Sequence, residues 1–157
     1  MSMETVLVAV GESDADRTEA LASAAIDVAG PAGGSVRLAH VFTEDGYRRT
    51  RETLDFRPDA EVTPDVVAKR HVTIRELGDA MREAGVPFST HGAVGEKGTA
   101  IVDLAAELDA DLVVVGGRKR SPAGKAVFGS TAQEVMLNAP CPVTFVRGDS
   151  VRTPVEA

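Results

Sequence analysis

The chain has 157 residues, of which 43% are hydrophobic, and its formal net charge is −7 at pH 7. This length predicts one domain that buries about 70% of the surface of the unfolded chain, and the acidic balance argues against a general nucleic-acid-binding protein, which needs a basic footprint. The apolar runs fall short of the ~18 residues of a membrane span. The N-terminus carries no secretory signal pattern, and the single cysteine, Cys141, excludes an internal disulfide, so we expect a cytoplasmic protein.

The start of the chain is predicted to form a strand followed by a helix, because an apolar, β-branched run precedes a segment with helical periodicity. Thr5–Val10 is predicted to be a strand. Ser13 and Asp16 form a loose capping box for a helix that continues with helical spacing to about residue 29. The glycines and proline of 30–34 are expected to end this helix, and 36–42 is predicted to be the second strand.

Residues 43–61 show no clear hydrophobic period, because charged and aromatic side chains are mixed there. The sequence predicts a long loop in this region. Two roles remain open for it, a surface excursion or a lid over a ligand or partner.

The second half of the chain alternates helices and strands. Thr63 and Pro64 begin a helix whose buried stripe includes His71 and Met81, and Gly85 ends it. The remaining elements are predicted as a strand over 86–94, a helix over 99–108, a strand over 112–115, a helix over 130–137 and a strand over 143–147.

This alternation predicts an α/β fold, a single doubly wound parallel sheet of five strands with helices on both faces and right-handed crossovers. In such sheets ligands bind beyond the carboxyl ends of the strands, at the point where the strand order reverses.

The segment 111–131 has the character of a phosphate site. A buried strand is followed by Gly116-Gly117, by the cations 118–120, and by Gly129-Ser130-Thr131 ahead of an apolar-periodic helix. The first backbone N–H groups of a helix lack internal partners and carry partial positive charge, so they can bind a phosphate. A Walker P-loop is excluded, because Lys119 and Ala126 stand where it needs a glycine and a hydroxyl residue. The remaining alternative is that Gly129-Ser130 only turns the chain and caps the helix.

The spacing of this segment resembles a known signature. Gly116, Lys119 and Gly129-Ser130 match the universal stress protein family pattern G-x2-G-x9-G-(S/T), with Lys119 at the second glycine. The phrases at 6–10, 38–42, 109–117 and 138–146 also resemble that family, so the resemblance covers about residues 4–147. It implies the strand order 3-2-1-4-5, a family-like domain over 1–148 and a tail over 149–157.

The resemblance also implies a ligand, ATP or AMP, with or without Mg²⁺. Adenine is expected near Ala9, Val10 and Val41, the floor at Val115 and Gly116, and the ribose and phosphates at Arg118, Lys119, Gly129, Ser130 and Thr131. Gly11 stands after the first strand, where nucleotide-binding members of the family carry an aspartate. Family members commonly dimerise through the last strand, so a homodimer through Val143–Arg147 is expected as well.

Catalytic signals are few. The histidines His40, His71 and His91 are far apart in the sequence, and no His, Cys or Asp cluster has metal-ligand spacing. Glu12 and Asp14, near the expected cleft, could hold Mg²⁺ with a nucleotide, but surface charge is their expected role. The sequence therefore favours a small cytoplasmic stress-response protein that binds an adenine nucleotide and acts as a regulatory dimer. A nucleotide-independent interaction module and a slow ATPase or phosphotransferase remain as alternatives.

Overall fold

Five strands of the computed structural model, which describes residues 3–54, 62–117 and 130–147, pair in parallel into one sheet. The strands are β1 (Thr5–Val10), β2 (Ser35–Phe42), β3 (Phe88–Val94), β4 (Leu112–Gly117) and β5 (Val143–Arg147). The helices are α1 (Thr18–Ala32), α2 (Glu44–Thr53), α3 (Pro64–Arg70), α4 (Val72–Ala84), α5 (Lys97–Glu107) and α6 (Ser130–Asn138), and a 3-10 turn over Glu12–Asp14 precedes α1.

The strand order is β3-β2-β1-β4-β5, which confirms the expected α/β class and topology. The first strand lies at the centre, where Ala9 is paired with Ala39 of β2 on one side and with Val115 of β4 on the other. The order reverses between β1 and β4, so the carboxyl ends of these two strands border the expected ligand cleft.

Helices bury both faces of the sheet, which explains why β1 and β4 are continuous apolar runs. On one face Val8 and Val114 pack in a cluster with Leu21 of α1 and Leu77 of α4. On the other face Leu7 and Val113 pack with α5 and α6, through residues that include Ile101 and Val135. Two separate cores therefore hold the central strands in register.

The prediction of a loop over 43–61 is wrong for its first part, which is the helix α2. Thr43 caps this helix, because its hydroxyl oxygen accepts a hydrogen bond from the Gly46 N–H at 3.0 Å. Tyr47 of α2 packs against Phe42 at the end of β2, with the two ring centroids 5.5 Å apart. A helix made almost wholly of polar residues shows no apolar period, so the sequence pattern missed it. Residues 55–61 of the predicted loop lie outside the described part of the chain.

The single helix predicted from residue 64 to Gly85 is two helices that meet at His71. This residue has φ −72° and ψ 139°, an extended conformation, and its Nδ1 accepts a hydrogen bond from the Thr73 N–H at 3.2 Å. His71 thus ends α3 and caps α4 instead of lying on a helical stripe.

The first helix also differs from its prediction. It begins at Thr18, after the 3-10 turn, instead of near Ser13. It continues to Ala32 with Pro31 in its last turn, and Gly33, with a left-handed φ of 68°, ends it.

Candidate functional site

The expected adenine contacts are brought together at the carboxyl ends of the central strands, with one exception. Ala9, Val41 and Val115 belong to the same buried cluster, on the face covered by α5 and α6. Val10 belongs to the cluster on the opposite face, beside α1 and α4. Its side chain therefore points away from the other three.

Much of the expected phosphate loop falls beyond the described residues. Arg118, Lys119 and Gly129 lie outside them, as does the tail over 149–157. The helix α6 begins at Ser130, as the capping signal predicted, and Thr131 lies in its first turn. The start of this helix is consequently the described part of the predicted phosphate site.

A buried carboxylate, Asp14, lies between the ends of β1 and β4. Asp14 is only 2% exposed, so its expected role as surface charge is wrong. Its Oδ2 accepts the Gly11 N–H at 2.8 Å, and its Oδ1 lies 3.2 Å from Nε of Arg17. The 3-10 turn causes this placement, because it brings the carboxylate back against the strand that the turn follows. Both oxygens are engaged, which leaves Asp14 poorly suited to hold Mg²⁺.

Glu12, the other carboxylate considered for a metal, behaves as the sequence predicted. Its side chain is 61% exposed, and its Oε2 lies 3.1 Å from Nη2 of Arg49 on α2. This ion pair connects α2 to the turn after β1. Throughout the described ranges, no group of three or more His, Cys, Asp or Glu side chains could hold a metal ion.

Gly116 makes room for the buried ion pair at the end of β4. A Cβ atom at this position would meet Oδ1 of Asp14 and would lie 2.8 Å from Cδ of Arg17. The glycine therefore accommodates the close approach of two side chains from the segment between β1 and α1.

Gly11 makes room for a lysine in the same way. A Cβ atom at Gly11 would lie 2.7 Å from Nζ and 2.9 Å from Cε of Lys97, the first residue of α5. The Gly11 φ of −138° is extended and open to any residue, and a larger residue here would displace the flexible end of the Lys97 side chain. The Lys97 ammonium ends 3.5 Å from Oδ2 of Asp14, and the lysine side chain is 29% exposed.

The His40 ring, at the carboxyl end of β2, is stacked on the Phe42 ring and contacts the His71 ring at a tilted angle. The His40 ring lies 4.1 Å from the His71 ring and 4.2 Å from the Phe42 ring, between centroids. His40 is fully buried, and neither of its ring nitrogens has a hydrogen-bond partner among the described residues. Burial, then the positive potentials of His71 and Lys97, lower the pKa of His40 to about 3. Burial also lowers the pKa of His71, against a smaller raising effect of Glu12. The His40 imidazole is therefore neutral at pH 7 and adds no positive charge to the cleft.

Sequence reasoning missed both cations that the structure places against Asp14, Arg17 and Lys97. Arg17 follows Asp14 by three residues, a spacing that predicts an ion pair at a helix start and could have been used. Lys97 is 83 residues from Asp14, and no local pattern connects the two.

Comparisons with known proteins agree with the observed fold. The model of the universal stress protein family matches residues 3–147. A universal stress protein of Mycolicibacterium smegmatis is 40% identical over 75 residues, which are 47% of this chain and 58% of that protein. The chain spans between 31% and 58% of the length of the curated relatives that it matches.

Solved structures are similar over nearly the whole chain. A universal stress protein from Archaeoglobus fulgidus is 30% identical, with a TM-score of 0.67 over 93% of this chain and 99% of that one. A universal stress protein structure from Archaeoglobus fulgidus in complex with dAMP is 25% identical, with a TM-score of 0.62 over 93% of this chain and 99% of that one. No helix in the described part of this chain is long and apolar enough to cross a membrane.

Proposed function

The chain belongs to the universal stress protein family, and on that basis we propose that it binds an adenine nucleotide, ATP or AMP, at the carboxyl ends of β1 and β4. The protein acts in the cytoplasm as a stress-response regulator whose state depends on the bound nucleotide. One observation carries the proposal: the strand order reverses between β1 and β4, beside a helix that begins at Ser130 of the signature. The dAMP complex of a family member supports adenine as the base.

The residues divide by the part of the nucleotide that they contact. Adenine lies near Ala9, Val41 and the backbone of Val10, whose side chain faces the opposite side of the sheet, with Val115 and Gly116 as the floor. Gly11 borders the nucleotide at the end of β1. The phosphates are bound by Arg118 and Lys119 and by the backbone N–H groups at Gly129, Ser130 and Thr131. Each hydrogen bond to a charged oxygen stabilises the complex by roughly 1.5–3 kcal/mol, so several of them support micromolar affinity.

Ser130→Ala is expected to weaken AMP and ATP binding about tenfold or more, because it removes a hydroxyl donor to a charged phosphate oxygen. Isothermal titration calorimetry of wild type and variant, with and without Mg²⁺, measures the change. Ser23→Ala, at an exposed position of α1, is the matched control and should bind like wild type. Equal affinities of wild type and Ser130→Ala would contradict the role of this residue. Absence of heat with every adenine nucleotide would contradict the function and favour the nucleotide-independent module.

The edge strand β5 supports a homodimer as the second part of the proposal. Among the described strands β5 pairs with β4 alone, which makes it an edge strand of the described sheet, and edge strands are the ones that pair with another chain. Its side chains are exposed or half-buried. Pairing of Val143–Arg147 with the same strand of a second copy, about a two-fold axis, satisfies this edge.

Thr144→Lys is expected to shift the dimer towards monomer, since two-fold pairing brings like charges together across the new strand pair. Thr144 is exposed in the single chain, so the fold should tolerate the lysine. Sedimentation velocity over a concentration series measures the equilibrium. The control Ser23→Lys adds the same charge on an exposed part of α1 and should leave it unchanged. A wild-type protein that is monomeric at all concentrations, or a variant as dimeric as wild type, would contradict the β5 interface.

A further inference from the structure

We propose that the Lys97 ammonium is a ligand for a phosphate group of the bound nucleotide, and that the cleft therefore selects phosphorylated nucleosides over unphosphorylated ones. This inference rests on the proposed adenine-nucleotide function and names the class of ligand that the same cleft takes. It concerns a residue outside the signature, at the start of α5.

The lysine side chain lies across the carboxyl end of β1. Its Nζ, Cε and Cδ would be 2.7, 2.9 and 3.4 Å from a Cβ atom at Gly11, so the chain occupies the space that glycine leaves open. With 29% of its side chain exposed, the lysine is neither buried nor free in solvent. Its ammonium thus stands at the end of the strand that borders the cleft.

The contact that holds Lys97 in this position is weak. Its Nζ lies 3.5 Å from Oδ2 of Asp14, whereas strong hydrogen bonds between an ammonium and a carboxylate measure about 2.7–2.9 Å. Asp14 already accepts the Gly11 N–H at 2.8 Å and pairs with Arg17 at 3.2 Å. Lys97 is therefore the second cation on one buried carboxylate, and an anionic ligand can replace that contact with a shorter one.

The other carboxylates considered as partners for Lys97, those of Glu96, Glu134 and Glu12, contact other residues. Oε1 of Glu96 accepts the Thr99 N–H at 2.8 Å, and Oε2 of Glu134 accepts the Thr99 hydroxyl at 2.8 Å. Glu12 pairs with Arg49. Among the described residues, Asp14 is the only ion-pair partner of Lys97.

The same arrangement selects against an uncharged ligand. A ribose without phosphate that displaced the lysine from Asp14 would offer its ammonium no negative charge in return. A phosphate oxygen restores the lost ion pair, so the difference between the two ligands is a full charge-assisted interaction. The neutral His40 nearby cannot supply the missing charge.

Calorimetric titration of wild type and Lys97→Met with AMP, adenosine and inorganic pyrophosphate tests the inference. Wild type is expected to bind AMP at least tenfold more tightly than adenosine, and this preference should shrink about tenfold in Lys97→Met. Lys97→Arg keeps the charge and should keep most of the preference. Lys69→Met removes an exposed lysine of α3 as the matched control and should behave like wild type. Should Lys97→Met fail to fold, Lys97→Gln, which keeps a polar end, replaces it.

The outcomes separate this inference from the function on which it rests. An unchanged AMP preference in Lys97→Met overturns the role of Lys97 and leaves nucleotide binding intact. Tighter binding of both AMP and adenosine by Lys97→Met also overturns it, because the lysine would then be an obstruction. A wild type that binds no AMP overturns the proposed function. In that case the pyrophosphate titrations test Lys97 separately. If wild type binds pyrophosphate and Lys97→Met does not, Lys97 is an anion ligand. If wild type does not bind pyrophosphate, or Lys97→Met binds it equally well, the role of Lys97 is overturned as well.

Discussion

Asp14→Ala is expected to lower the free energy of unfolding by about 3 kcal/mol or more, although Asp14 is a charged residue near the start of a helix. The carboxylate is 3% exposed in its side chain and pairs with Arg17, which is 11% exposed. Alanine removes the buried carboxylate that lies 3.2 Å from Nε of a nearly buried guanidinium, and it removes the acceptor of the Gly11 N–H. Urea denaturation at pH 7 measures the change, with the m-value as a check on two-state behaviour.

Asp16→Ala provides a matched control on the same arginine. Asp16 is 70% exposed, and its Oδ1 lies 3.9 Å from Nε of Arg17. Exposed ion pairs contribute little, so this variant should change stability by less than about 1 kcal/mol. Equal losses in the two aspartate variants would mean that burial of Asp14 does not matter, and would contradict the structural role given to it.

The strands of the sheet could be predicted because each is marked by its own short stretch of sequence. Buried parallel strands are continuous apolar runs, and those of β1 and β4 stand between clear helical segments. The break at His71 could not be predicted in this way. The helical period of Val67, Ile74 and Met81 continues across the break, and only the extended backbone of His71 separates the two helices.

Glycines at the candidate site show a second limit of sequence reasoning. Gly11 directly follows β1 and Gly116 lies near the end of β4, and the sequence pattern alone indicates a turn at the first and a signature position at the second. In the structure each leaves space for a side chain from another part of the chain, Lys97 in one case and Arg17 in the other. Such a requirement depends on which distant residues meet, so neither propensity nor spacing reveals it.

The buried His40 is expected to make the protein less stable as the pH falls from about 6.5 to 5. Burial and the nearby His71 and Lys97 hold the pKa of His40 at about 3 in the folded state, against 6.5 when it is unfolded. Between these two values the unfolded chain binds a proton that the folded chain does not, so stability rises with pH and is lost as pH falls. At pH 5 this single site costs about 2 kcal/mol relative to pH 8, since each pH unit below 6.5 contributes about 1.36 kcal/mol.

His40→Leu isolates this effect, because leucine fills similar space and does not titrate. The free energy of unfolding of both proteins, measured by urea denaturation at pH 8, 6 and 5, gives a difference in which constant packing changes cancel. That difference should move by about 2 kcal/mol in favour of the leucine variant between pH 8 and 5. His91→Leu is the comparison. His91 is half-buried, its Nε2 lies 2.9 Å from the Ser89 hydroxyl, and burial lowers its pKa. The pH-dependent change in unfolding free energy between His91→Leu and wild type should be smaller than that of His40→Leu. A His40 ring that titrates near pH 6.5 by NMR in the folded protein would contradict the argument directly, since burial without hydrogen-bond partners is what lowers the pKa of this imidazole.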